Sequence, residues 1–541
     1  MTGPAAEPLN GGPLKVGRLR AALLRRPAWA ALALGVVSAT GFVPLGLWPL
    51  ALLAIGLFAW LLPHTSSPKQ AAWLGWLFGW AHFTLGNNWI ATAFTYQANM
   101  PAVLGWAAVP LLAVYLAVYP MLAAFGARRL AGTRGGHASV LAFAGCWIVA
   151  EWLRSWVFTG YSWNPFGMVL LGPFDRPGLA ALVPVMGTYA LSGLAVLLGA
   201  GLVLLLAQRR WLPAGLAAAL VTAGMYWPAP AQEDGTLPVT VVQPGIPQPR
   251  INDPLFYEAN FQRLTDLSRR AVGFDATPAR RLVMWPEAGM ADYLEEGYPQ
   301  RHYDRTTALG SPVYARYLIA RAIGRDAMLL TGGQRLEFGA DRRLSGARNS
   351  VLAVDGSGQL VGYYDKAHLV PYGEYLPMRD LLEPLGLSRL VPGSVDFLPG
   401  PGPQTMDLGA FGKAGLQICY EIIFSGQVVD GDNRPDYISN GSSDGWFGAA
   451  GPPQHFAQAR MRAIEEGLPV IRATPSGISG VIDAHGVVRH FLATGEAGRI
   501  DTLVPPALPP TLFARLGNML ALSWAALFLL LALVALRQAR P

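Results

Sequence analysis

The chain has 541 residues, 52% of them hydrophobic and only 14% charged, with a mean hydropathy of +0.32. A soluble domain usually carries about 25% charged residues, so this balance excludes an ordinary soluble protein and points to a membrane. The net charge of +7 does not mark a nucleic-acid binder, because many arginines flank hydrophobic segments, and two cysteines cannot build a disulfide framework.

A membrane-spanning helix needs about 20 predominantly apolar residues. After an N-terminal tail, 1–26, read as cytoplasmic, disordered and without chemistry, seven such stretches follow: 27–44, 47–63, 71–90, 104–126, 138–158, 187–207 and 211–228. The second and seventh are the shortest. An eighth stretch, 517–536, lies near the C-terminus. The first is followed by more apolar segments and not by a soluble domain, so it does not read as a cleaved signal peptide. Basic residues alternate between loops. Lys15, Arg18, Arg20, Arg25 and Arg26, then Lys69, then Arg128, Arg129 and Arg134, then Arg209 and Arg210, and finally Arg537 and Arg540 fall on one side; 45–46 and 91–103 have none, and 159–186 has only Arg176. The positive-inside rule then predicts eight spans with both termini in the cytoplasm and segment 229–515 on the opposite face. Glu151 and Arg154, three apart in span five, share a helix face and read as a structural pair. Trp147, Trp152, Trp156 and Trp163 read as an interfacial aromatic belt.

Segment 229–515 holds most of the acidic residues and reads as globular. Strands are predicted at 237–243, at RLVMWPE ending on Glu287, and at 327–333, 349–356, 359–364, 414–419, 436–440 and 469–473. Helices are predicted at 254–272, 311–324 and 453–467. Strands alternating with helices imply a layered α/β domain. There is no P-loop, no dinucleotide-binding glycine fingerprint and no metal-ligand spacing. The expected layout is thus a tail (1–26), a seven-span helical domain (27–228), an extracytoplasmic α/β domain (229–515) and a final span with a short tail (516–541).

Three segments of the α/β domain carry candidate chemistry. Cys419 ends an apolar strand in GLQICYEIIF; a turn there would expose the sulfur, although free cysteine is often only a small buried hydrophobe. Glu287 follows Trp-Pro, in an apolar frame that would raise its pKa and suit it to take a thiol proton; a surface glutamate is the plainer reading. Lys366, in YYDKAHLVPYGEY, could stabilise an oxyanion or simply pair with Asp365 or Glu374. His368 is a rival base that nothing else marks.

Together, WPE, YDKAHLVPYGEYLP and CYEI resemble the Glu–Lys–Cys signature of the nitrilase, or carbon–nitrogen hydrolase, superfamily. The flanking spans, with GFVPLGLWPL, AEWLRSWVFTGYSWNPFG, VVQPGIPQ, SNGSSDGWFG and QHFAQARMRAIEEGLPVIRATPSG, narrow the resemblance to the apolipoprotein N-acyltransferase family. The resemblance implies an αββα sandwich, with Cys419 as nucleophile, Glu287 as general base and Lys366 as oxyanion stabiliser. It implies that Glu374 supports the lysine and the base, that Tyr420 and Glu421 shape the pocket, and that Trp446 and Phe447 lie beside an acyl chain. The implied reaction is ping-pong transfer of an acyl group from a membrane phospholipid, through a thioester, to the N-terminal cysteine amine of a diacylated lipoprotein. No cofactor or metal is implied; the expected protein is a monomer in a bacterial inner membrane, its catalytic domain on the periplasmic side.

The leucine- and proline-rich segment 376–399 is expected to act as an apolar lid or to pack as a surface loop, and loops 91–103 and 288–310 are candidates for lining the access path. Three stretches depart from the family pattern: PRINDP after GIPQ, Ser443-Asp444-Gly445 and Pro475-Ser476-Gly477, the last two expected to lie away from the triad. Two rival readings are a membrane-tethered amidase and a transporter or receptor whose outer domain is an inactive scaffold. The intact Glu–Lys–Cys set disfavours the second.

Overall fold

The computed structural model describes residues 20–21, 23–96, 101–231, 233–269, 280–385 and 396–538. Most of the N-terminal tail, part of loop 91–103 and the centre of the 376–399 segment lie outside these residues. Each of the eight predicted spans falls on a helix. The first seven are α1 (Pro27–Ala39), α2 (Trp48–Leu61), α3 (Pro68–Gly86), α4 (Val103–Ala131), α5 (His137–Arg154), α6 (Thr188–Ala207) and α7 (Trp211–Met225). Among the described residues, three helices are long and apolar enough to cross a membrane: α4, α6 and the C-terminal Asn518–Gln538. Others are shorter than the sequence suggests. Thr40 to Leu47 turns between α1 and α2, so the first apolar stretch does not form one continuous span.

The helices pack by close approach of small residues, as membrane bundles do. A Cβ on Gly56 of α2 would fall 2.2 Å from the Gly199 carbonyl of α6. Phe58 stacks on Phe78 with ring centroids 4.5 Å apart, and Phe143 and Trp147 complete the same core. Trp147 and Trp163 are therefore not part of a surface belt, contrary to expectation. Both are buried, because their indole N–H groups find protein acceptors in Glu151 and Gln454; Trp156 alone of the four is about half exposed. Glu151 and Arg154 are buried 3.9 Å apart, with Glu151 also accepting from Phe166 N and Arg154 donating to the Trp163 carbonyl.

Residues 238–503 form two six-stranded sheets. The first runs β12–β1–β2–β3–β4–β5 and the second β11–β10–β9–β8–β7–β6. The strands are β1 (Pro238–Gln243), β2 (Arg281–Met284), β3 (Ala327–Phe338), β4 (Leu344–Asp355), β5 (Leu360–Asp365), β6 (Gln404–Asp407), β7 (Lys413–Ile418), β8 (Tyr437–Gly441), β9 (Val470–Ala473), β10 (Ser479–Ile482), β11 (Val488–Leu492) and β12 (Gly498–Leu503). β1–β2–β3 and β7–β8–β9 are parallel. Period-2 alternation explains the layers. Val239, Val241, Leu282, Met284, Leu330 and Val351 of the first sheet meet Leu416, Ile418, Ile471 and Val481 of the second. The opposite faces, through Val283, Leu329 and Leu352, pack on α8 (Tyr257–Ser268) and α9 (Pro312–Ile323); Ile438, Val470 and Ile482 pack on α10 (Gly451–Glu466). The result is a four-layer αββα arrangement.

Helix α10 joins the sheets to the bundle. Phe456, Ala459 and Ala463 face the second sheet, whereas Ala457, Met461 and Ile464 enter the core of the helical bundle. Buried on both sides, it satisfies its charges internally. Arg462 pairs with Glu465 at 2.7 Å, and Glu465 accepts from the backbone N of Thr188 at 3.0 Å at the start of α6. Arg460 donates to the carbonyls of Gly172, Pro173 and Gly486. The last helix, α11 (Asn518–Gln538), packs back against α5.

Candidate active site

Glu287, Lys366 and Cys419 come together at the same end of the two sheets, each just past a strand: Glu287 after β2, Lys366 after β5 and Cys419 after β7. Cys419 adopts φ +49°, rare for a side chain with a Cβ. This sharp turn ends the strand and starts a 3-10 helix, Cys419–Ile423. A residue held there costs about 1–3 kcal/mol and needs the surroundings to enforce it. Here Glu421 does so, its Oε2 accepting from Ile418 N at 2.7 Å.

The other oxygen of Glu421 organises the lysine loop. Oε1 accepts from Ala367 N at 2.8 Å, His368 N at 3.1 Å and the Tyr364 hydroxyl at 2.8 Å. Asp365 is clamped by Ser350 Oγ at 2.6 Å and Arg335 at 2.7 Å. Lys366 therefore does not pair with Asp365. Its Nζ lies 3.0 Å from Glu374 and 3.7 Å from Glu287 Oε1. Asn349 of β4 donates its amide to both carboxylates, at 2.8 Å each, and Val370 N donates to Glu374 Oε2 at 2.8 Å. Oε2 of Glu287 is buried without an N–H or O–H donor among the described residues, and the Cys419 thiol faces the Glu287 carboxylate.

All three groups are almost wholly buried, and their electrostatics follow. Burial raises the Glu287 carboxyl above its ordinary range, against the pull of the Lys366 ammonium. Burial would lower the lysine, but the carboxylates of Glu374 and Glu287 outweigh it and hold the ammonium charged. Burial, reinforced by the Glu287 charge, pushes the Cys419 thiol up, so the resting sulfur is neutral. The arrangement suits a thiol that loses its proton to Glu287 only when substrate arrives, beside a permanent cation. His368 is not placed as a base: its ring stacks on Phe424 at 3.8 Å, its Nε2 contacts the Thr159 carbonyl at 2.9 Å, and burial lowers its pKa to about 4.

A second buried network lies behind Cys419. His455 Nε2 is 3.0 Å from the Cys419 carbonyl and its Nδ1 3.0 Å from Asp444 Oδ1. Arg472 donates to both oxygens of Asp444, at 2.9 and 2.8 Å, and Ser442 donates at 2.7 Å. Ligand atoms of Cys419, Asp444 and His455 lie within 4.8 Å of one another; the Asp444 carboxylate and both ring nitrogens are already committed to protein partners. Asp444 thus sits beside the nucleophile, which corrects the expectation that its segment stays clear of it. Asn349, His455 and Arg472 escaped the reading of the sequence. Their signal was a polar residue in an apolar strand or helix, and its meaning depends on partners far along the chain.

The remaining site residues line the junction with the bundle. Tyr420 packs edge-on to Phe424 beside His368. Phe447 contacts Trp89 at 4.7 Å, Trp163 at 5.7 Å and His455 at 5.5 Å between ring centroids, while Trp446 meets Tyr96 edge-on at 5.6 Å. The aromatic pair therefore bridges the sheets and the helix ends.

Residues 34–201 match the apolipoprotein N-acyltransferase N-terminal domain, and residues 239–504 match the carbon–nitrogen hydrolase domain. The chain is 34% identical over 531 residues to an apolipoprotein N-acyltransferase of Rhodopseudomonas palustris, covering 94% of this chain and 95% of that one. It is 35% identical over 454 residues to one of Brucella melitensis, covering 81% of each. Among solved structures, a mutant amidase of the nitrilase superfamily from Nesterenkonia AN1 aligns with 18% identity and a TM-score of 0.35, over 50% of this chain and 92% of that one.

Proposed function

The chain belongs to the apolipoprotein N-acyltransferase family, and from that premise we propose that it moves an acyl chain from a phospholipid, through a thioester on Cys419, to the N-terminal cysteine amine of a diacylated lipoprotein. The observation that carries the mechanism is the convergence of Glu287, Lys366 and Cys419 in one buried cluster.

In the first half-reaction Glu287 takes the Cys419 proton as sulfur attacks the ester carbonyl. Lys366 Nζ stabilises the oxyanion, where a preorganised donor is worth about 10²–10³ in rate. The C–O bond breaks, and the Glu287 proton goes to the departing lysophospholipid oxygen. In the second, the neutral amine attacks the thioester carbon, the C–S bond breaks, the amide forms, and the amine proton passes through Glu287 to restore the thiol. Splitting the transfer in two replaces one difficult step with two easier ones. Glu374 and Asn349 hold Lys366 and Glu287 in register, Glu421 fixes both loops, and Tyr420, Trp446 and Phe447 form the apolar wall for the acyl chain.

The protein is bound to a bacterial membrane. We place all eight helices across it, with segment 229–515 on the extracytoplasmic side. Arg128 of α4 donates to Thr65 after α2, so two loops assigned to the basic side lie together. The sheets instead meet helix ends at Thr159 and Thr188, where the connecting loop is nearly free of basic residues. Matches on both the helical and the sheet regions favour the transferase over a tethered amidase. Incubation of purified protein with phospholipid and a diacylated lipopeptide tests this. N-acylated peptide is expected; free fatty acid without acylated peptide overturns it.

A further inference from the structure

Next to Cys419 the chain buries polar atoms that no group among the described residues satisfies. Gln248 is 6% exposed and Ser443 5%, yet Gln248 Oε1 and the Ser443 hydroxyl have no hydrogen-bond partner among the described residues. Leaving a buried polar group unsatisfied is costly, so such a pair beside a thiol points to a ligand that completes it.

The two residues lie on adjoining segments. A Cβ on Gly445 would fall 2.5 Å from Gln248 Oε1, so that loop passes against the carboxamide. Ser443 immediately precedes Asp444, whose carboxylate lies within 4.8 Å of the Cys419 sulfur. These segments are braced: Ile246 N donates to the Pro475 carbonyl at 3.0 Å, and Gly477 abuts Asp444, where a Cβ would meet its carboxyl at 2.7 Å. Gln248 begins a short helix, Gln248–Ile251, after Pro247, which fixes its backbone.

The free oxygen of Gln248 calls for an N–H donor. Around its scissile ester, a phospholipid presents only acceptor oxygens. The second substrate brings an amine and a peptide N–H to the same carbon. We propose that Gln248 and Ser443 form the polar seat of the amine acceptor, with Gln248 Oε1 accepting an N–H of the acceptor's first residue and Ser443 Oγ making the second polar contact. This rests on the transferase reading above. The seat sets specificity and orientation and takes no part in the proton transfers, which stay with Glu287.

The test separates the half-reactions in the full-length protein. Acyl-enzyme formation is followed by intact mass with a diacyl phospholipid, and its discharge with a synthetic diacylated lipopeptide. Gln248→Leu and Ser443→Ala are expected to acylate within about twofold of wild type, while discharge at low lipopeptide falls about 10–100-fold through a raised KM with kcat nearly kept. Gln248→Glu, which retains an acceptor oxygen, should recover most of the loss. Acylation and discharge falling together in both variants, or discharge unchanged in both, overturns the seat. Wild-type protein that never acquires an acyl group overturns the transferase reading, and the seat with it.

Discussion

His455 Nε2 lies 3.0 Å from the carbonyl oxygen of Cys419, and so a ring from helix α10 holds the strained backbone of that residue. The contact explains how a left-handed conformation persists at a residue with a Cβ. His455→Ala removes the donor and frees the turn. Acyl-enzyme formation is expected to fall about 10–100-fold, the scale of a misplaced reacting group, with His455→Gln restoring part of it. Pre-steady-state acylation measured by mass checks this.

In the proposed mechanism Glu287 must be ionised to accept the thiol proton, and burial raises its pKa above the usual carboxylate range. Activity is therefore lost as pH falls through that raised value, above the ordinary glutamate value of about 4.3. Glu287→Gln should lower acylation about 10²–10⁴-fold and abolish this acidic limb. A pH–rate profile of acyl-enzyme formation reads both. A limb at the ordinary glutamate position contradicts the assignment.

Gly332 of β3 packs on the backbone of Glu287, where a Cβ would fall 2.1 Å from its carbonyl oxygen. Glycine in a strand marks such close approach. Gly332→Ala must displace Glu287, and a shift of about 1 Å in the proposed base costs about 10²-fold. The expected outcome is a large loss of acylation, read with phospholipid alone.

Asp444 and Arg472 are fully buried and 2.8 Å apart. Burial would raise the Asp444 carboxyl, but the Arg472 guanidinium holds it well below the usual carboxylate range. A depressed folded-state pKa contributes stability above the unfolded value, about 3.9, that is lost as pH falls toward the folded one. Arg472→Leu leaves a buried carboxylate unpaired and should destabilise the protein by about 3–5 kcal/mol. Thermal unfolding in detergent measures it, and the acid sensitivity of the wild type should be blunted in the variant.

Much of this was legible in the chain. Glu287, Lys366, Cys419 and Glu374 stand in short local motifs, and the parallel strands announced themselves as apolar runs. The short strands β6 and β10 and the peripheral β11 and β12 did not, because they carry mixed polar residues and exist through pairing with neighbours. All eight apolar stretches became helices, but apolarity alone does not say where a helix turns, as between α1 and α2, or which tryptophan faces lipid. Asn349, His455, Arg472 and Gln248 act through partners tens to hundreds of positions away. Pro475-Ser476-Gly477 likewise comes against Asp444 through Gly477, a proximity only the fold creates.

The central claim is a thioester on Cys419, and intact-protein mass spectrometry after incubation with a phospholipid of defined acyl length tests it most directly. Wild type should gain the mass of one acyl group, labile to hydroxylamine and removed by a diacylated lipopeptide, and Cys419→Ala should gain none. A wild-type mass that never shifts, or a shift that persists in Cys419→Ala, contradicts the account.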